Sequence, residues 1–383
     1  MNQKAIYGIF IAVFALLILI TFSGCSGILR KKDIAPPACT EAVFPNVRLE
    51  LVDWLDGPVI GKGDPGTEDI KHGLEGGTVI RVDNVYHLFT SEQYGNPKWV
   101  KMRLGHWISP DGENWIRMST LYESSGDYTG TDRRAALWSP MPVFDHQQDN
   151  WYMTYVAYSC KPDTKEQFLT NFNGQIWMTK SDVPGIEGIG GPYSDMGVMI
   201  EPGKDSQEWE GLQGTDSFFP FETDDGWMAF YGSAKTEKLP IQFWGVGLAG
   251  SEKLQGPWKR LIDKNPVDFK ENFAENPIVT NIGDSIFIAV MDAHGDGFGY
   301  SLSYDGLNWS EMYHINVTEK MKCWWSEFRT PLCLIEEENG YFSVFFTAMK
   351  EETDYWQHIG EPGYILDTGF DSMGLLKVKL VSN

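Results

Sequence analysis

One residue pattern constrains this chain more than any other, because it occurs five times. A polar turn bearing Asp, Asn or Gly leads into an aromatic or aliphatic doublet, then an apolar strand ending in small or polar residues. The copies start at Asp83-Asn84-Val85-Tyr86, Asp149-Asn150-Trp151-Tyr152, Asp225-Gly226-Trp227-Met228, Asp284-Ser285-Ile286-Phe287 and Asn339-Gly340-Tyr341-Phe342. The markers Tyr86, Tyr152, Met228, Phe287 and Phe342 stand 66, 76, 59 and 55 residues apart. Each step has room for four short strands and their loops, the content of one propeller blade. A pair of β-sandwiches would not give five copies. The expectation is an all-β, five-bladed β-propeller over residues 46–383. A further strand and turn follows each of the first four copies. Two of these turns nearly coincide, Ser109-Pro110-Asp111-Gly112-Glu113-Asn114-Trp115 and Ser303-Tyr304-Asp305-Gly306-Leu307-Asn308-Trp309, and Ser251 to Trp258 is a variant. A Gly-containing turn closed by a buried Trp suits an outer-blade hairpin.

Composition narrows the function classes. Asp and Glu outnumber Lys and Arg 53 to 31, for a net charge of −22. That balance argues against nucleic acid, which demands a positive stripe, and against an anionic membrane surface for the folded part. No Cys-x-x-Cys or His-x-x-x-His spacing is present, so neither a metal nor another cofactor is expected. Residues 1–24 read as a signal peptide: Lys4, the apolar run Ile9–Ile20, then Phe22-Ser23-Gly24 before Cys25. Small residues ahead of a cysteine match a bacterial lipobox, with Cys25 lipidated and residues 25–45 as a tether. An uncleaved signal anchor is the competing reading. Both place the globular part outside the cytoplasm, in the periplasm or on the outer-membrane surface. Cys39, Cys160, Cys323 and Cys333 remain, enough for two disulfides.

The acids carry the functional signal. The strand before each doublet strand lines a propeller's channel: Thr78-Val79-Ile80, Val143-Phe144, Phe219-Pro220-Phe221, Ile278-Val279 and Leu332-Cys333-Leu334. Counting back 11 to 13 residues from each marker gives Glu75, Pro140, Asp216, Glu275 and Arg329. A single loop acid is ordinarily solvated or caps a backbone amide. Three acids at symmetry-related positions converge on one axis. Glycoside hydrolysis needs such convergence: one protonated carboxyl for the leaving oxygen, and one carboxylate to attack or to activate water.

With these residues the chain resembles the five-bladed propeller glycoside hydrolases, family 43 and its relatives 32, 62, 68, 117 and 130, over roughly residues 50–383. The resemblance implies Glu75 as general base, Asp216 as pKa modulator and Glu275, in Glu275-Asn276-Pro277, as general acid. Leu137-Trp138-Ser139-Pro140 is similar to the blade-two Trp-Ala-Pro-Asp stretch of family 43, which implies Trp138 stacking on a sugar. Glu75 is one methylene longer than that family's Asp, and Met141 replaces its blade-two Asp. The Asn-Asp-Pro-Asn-Gly motif of family 32 is absent. A divergent sister family is expected.

Further substrate-binding candidates are Gln213, His294, Trp325 and Arg329. Arg329 suits a hydroxyl pair or a sugar carboxylate, with an ion pair as its structural alternative. Of Trp324 and Trp325 only one can face the channel. Arg133 and Arg134 lie ahead of their inner strand, within reach of the funnel. The expected function is an exported glycoside hydrolase cleaving a terminal, arabinofuranose- or xylose-type sugar from polysaccharide-derived oligosaccharides. A non-catalytic glycan-binding propeller and a glycoside phosphorylase are the alternatives.

Overall fold

A computed structural model describes residues 42–383 except 128, 161–170, 238–240, 284, 294 and 351–368. The signal-peptide, Cys25 and Cys39 expectations, and that for His294, lie outside the described residues. Five antiparallel sheets form the five-bladed β-propeller that the repeats predict. Their inner strands are Gly73–Val82, Ala136–Asp145, Asp216–Thr223, Glu275–Ile282 and Glu327–Pro331. The doublet copies form the second strands, Val85–Gln93, Asn150–Ser159, Gly226–Ala234, Ile286–Asp292 and Tyr341–Met349. Third strands follow in each blade, and blades one to four end in an outer strand from the same repeat.

Blade five closes the ring differently. Its outer strand is Val47–Trp54, which pairs antiparallel with Ser372–Ser382. The repeat pattern gave no sign of this, because Val47–Trp54 carries no copy of the motif. Hydrogen bonds to chain ends 334 residues apart replace a local hairpin, so this closure carries a large loop entropy.

The predicted outer-blade turns share one hydrogen-bond scheme. Ser109 Oγ accepts from Gly112 N, Asp111 Oδ1 accepts from the 113 and 114 amides, and Trp115 Nε1 donates to Gly112 O at 3.0 Å. Ser303, Asp305, Gly306 and Trp309 repeat it bond for bond. Aromatic and aliphatic side chains fill the space between blades; Ile288, Val290, Phe298, Phe328 and Phe346 cement blades four and five. Burying each stabilises by about 1.5–3 kcal/mol. Threonine hydroxyls stitch neighbouring blades: Thr78 and Thr280 on inner strands donate to Leu332 O at 3.0 Å and Leu334 O at 2.8 Å, just past the inner strand of blade five, and Thr154 on the second strand of blade two donates to Phe218 O at 3.2 Å. Cys160, Cys323 and Cys333 are unpaired thiols, so none of these three forms a disulfide.

Candidate active site

Every inner strand carries one extra residue relative to its partner, near its start at the channel mouth. The register slips at Glu75/Gly77, Trp138/Met141, Asp216/Phe218, Glu275/Ile278 and Phe328/Pro331. A bulge re-aims the side chains around it. In four blades the residue inside the bulge is left-handed: Gly76 (φ 63°), Ser139 (φ 48°), Ser217 (φ 32°) and Asn276 (φ 50°). For a residue with a side chain this costs about 1–2 kcal/mol, and such strain gathers at functional sites. The slips also correct the sequence register. The blade-two equivalent of the three acids is Trp138, not Pro140, and in blade five Phe328 takes that place with Arg329 one residue on.

Glu75, Trp138, Gln213, Asp216, Glu275 and Arg329 line one narrow cavity of about 50 Å³ at the channel mouth, partly open to solvent. The Trp99 and Trp244 side chains and Tyr158 complete the wall. Other sequence candidates fall elsewhere. Trp325 does not reach the cavity; it is buried edge-on against Phe328 and Phe346 in the core between blades four and five. Its apolar ring is better satisfied there than beside carboxylates. Arg133 is ion-paired with Glu201, and Arg134 with Asp195 at 2.8 Å while lying 3.9 Å over the Trp177 ring. Both serve the outer part of blade two.

Glu75 is ion-paired. Arg329 donates to its Oε1 from Nη2 at 2.5 Å and Nε at 3.2 Å, and Gln93 Nε2 approaches Oε2 at 3.4 Å. The same Gln93 amide donates to Asp371 Oδ2 at 2.6 Å, and Asp371 meets the buried Lys98 ammonium at 3.4 Å. Asp216 accepts from Gln213 Nε2 at 2.9 Å and from the Ser217 amide at 2.8 Å. Burial raises its pKa, while the hydrogen bonds from Tyr158, Ser217 and Gln213 pull the other way. Glu275 differs from both: no hydrogen bond joins its carboxyl to another side chain among the described residues. Burial pushes its pKa well above 4.5, opposed by Arg329 and reinforced by Asp216, Asp292 and Glu75. The cavity therefore sets one carboxyl whose pKa burial raises beside one paired with a guanidinium.

Asp292, Asp371 and Lys98 complete this electrostatic balance, and sequence reasoning missed all three. Asp292 stands directly across the strand pair from Glu275. Its other neighbour, Arg329 Nη1, is 3.8 Å away, and burial keeps its carboxyl well above the ordinary range. Burial raises Asp371 to about 6 against the pull of Lys98. Five buried carboxyls thus face two buried cations, and like charges opposite one another cannot all ionise in a dry site. Among the described residues, the buried atoms Trp138 Nε1 and Gln213 Oε1 have no hydrogen-bond partner.

No family model matches the chain, and no curated protein matches its sequence. Solved structures do match in shape. A family 117 glycoside hydrolase produced by the marine bacterium Zobellia galactanivorans gives a TM-score of 0.57 at 12% identity, over 87% of this chain and 90% of that one. An alpha-L-arabinofuranosidase from Lactobacillus brevis gives 0.52 at 13% identity, over 80% of this chain and 90% of that one. A third, described as a glycoside hydrolase, gives 0.59 at 14%, over 86% and 92%. At such identities the likeness is one of fold. The chain resembles these hydrolases in being a five-bladed propeller.

Proposed function

We propose that this chain is a glycoside hydrolase that removes a terminal sugar from polysaccharide-derived oligosaccharides. One observation carries the reading: two carboxyls in different surroundings line one cavity, Glu275 with its pKa raised by burial and no side-chain hydrogen bond among the described residues, and Glu75 held by Arg329. An acid and a base in one site need two carboxyls in different surroundings, and here burial raises the Glu275 pKa while a guanidinium holds Glu75. Glu275 gives its proton to the glycosidic oxygen as the bond to the anomeric carbon breaks and its electron pair moves to that oxygen. Glu75 takes a proton from water, whose oxygen bonds to the anomeric carbon. Asp216, braced by Gln213 and Tyr158, adds negative potential that keeps the Glu275 proton in place. Trp138 offers a face for a sugar ring, and its indole N–H a donor. Arabinofuranose-type sugars are the first to try, on the strength of the arabinofuranosidase among the structural neighbours.

The test is sugar release from aryl glycosides and plant and algal oligosaccharides, wild type beside Glu275→Gln. The expected result is release of one sugar by wild type and loss of most of it in the variant. Equal release by both would remove Glu275 from the acid role. Binding without cleavage would make the chain a glycan-binding propeller. The proposal includes export with Cys25 as lipid anchor, checked by fatty-acid labelling of wild type against Cys25→Ser in a bacterial host.

A further inference from the structure

Glu75 is held from two sides. Arg329 grips Oε1, and Gln93 Nε2 approaches Oε2 at 3.4 Å. Gln93 pairs with Gly73 and Ser91 pairs with Glu75, so the Gln93 and Glu75 side chains are diagonal neighbours on one face of blade one. The Gln93 amide can face only one way. Its NH2 group has two hydrogens and meets two carboxyls, Glu75 Oε2 and, at 2.6 Å, Asp371 Oδ2. Turned end for end, its oxygen would lie against both acids. Its Oε1 is thereby left buried with no partner among the described residues. An open buried acceptor costs stability, so the arrangement answers to something other than packing.

Asp371 is in turn fixed to the strand that carries Glu75. Its amide donates to His72 O at 2.9 Å, and its carbonyl accepts from Leu74 N at 2.8 Å. A Cβ at Gly73 would stand 2.1 Å from that carbonyl oxygen, so the close approach needs glycine. The buried Lys98 ammonium meets Asp371 Oδ2 at 3.4 Å.

We infer that Gln93 is a positioning residue for Glu75, and that Asp371 holds Gln93 in that role. The inference rests on the hydrolase reading above and assigns two residues that do not line the cavity. A Glu side chain has one more rotatable bond than Asp, so its carboxylate wanders further unless both oxygens are held. Arg329 fixes Oε1. The Gln93 amide on Oε2 sets the plane of the carboxylate, and with it the lone pair that takes a proton from water. Asp371 directly precedes the last strand, Ser372–Ser382, so closing the ring completes the base.

The test uses Gln93→Met, which keeps the side chain's length and removes both donors, and Gln93→Asn, whose amide is too short to span both carboxyls. Each is checked for folding by circular dichroism. Two substrates carry the sugar identified by release: an oligosaccharide ending in it, and its glycosyl fluoride. Fluoride departs without a proton, so its hydrolysis needs the base but not the acid. In both variants kcat falls about tenfold or more, by the same factor on the two substrates, with KM within about twofold of wild type. Glu275→Gln, by contrast, spares the fluoride. Full kcat in a folded variant, a change confined to KM, or a loss confined to the oligosaccharide would overturn the inference and leave the hydrolase reading standing. Wild type that cleaves neither substrate would overturn both.

Discussion

Replacing Glu275 with Gln removes a titrating group whose pKa the fold raises, so activity and stability move in opposite directions. Burial raises the Glu275 carboxyl well above its ordinary 4.5. Between those two values the folded protein binds a proton that the unfolded chain has released. The stability this contributes is complete below the unfolded value and is lost as pH rises towards the folded one. The slope for one proton is about 1.4 kcal/mol per pH unit. Gln has the same shape and does not titrate, so it escapes this loss. As pH rises above about 4.5, wild type then loses stability relative to the variant at up to about 1.4 kcal/mol per pH unit, until Glu275 itself ionises in the folded protein. Asp216 and Asp292, raised by the same burial, contribute their own slopes in both proteins. Urea unfolding by tryptophan fluorescence at three pH values measures this, with unchanged m confirming the same buried surface. Parallel lines of stability against pH would refute the reasoning. Glu275 would then be ionised in the folded protein and unable to act as an acid at neutral pH.

Two other substitutions probe the counter-ions. Arg329→Met leaves Glu75 and Asp292 without their guanidinium and costs about 3–5 kcal/mol in chemical unfolding; Arg329→Lys recovers only part, because an ammonium lacks the fork that reaches both carboxyls. Lys98→Met strands the Asp371 carboxyl at a similar cost, which shrinks below about pH 6 as Asp371 takes up a proton. Adding Asp371→Asn restores most of the loss at neutral pH. A double-mutant cycle in thermal unfolding that shows simple additivity would rule out the pair.

The path from sequence to site divides along a physical line. Blade number and the acids Glu75, Asp216 and Glu275 were legible because each depends on a short stretch. An inner strand, a turn and a second strand keep nearly constant spacing, and a strand's period of two is a local property. The blade-two and blade-five positions were misplaced because the bulge sits differently along those strands, and a bulge is defined by pairing with a neighbour. Trp325 looked like a sugar platform from its sequence surroundings. Its destination was set by Phe328 and Phe346, which offer an apolar slot.

By itself the sequence determined that this chain winds into five blades with acids at the channel mouth. Only the tertiary structure decided how those acids behave. Glu75 meets an arginine 254 residues away, and Gln93 is anchored by an aspartate 278 residues away. Protonation depends on distance, burial and facing charge in three dimensions. Contacts of that separation have no local periodicity to announce them, so the chemistry of the site emerges only when the ring closes.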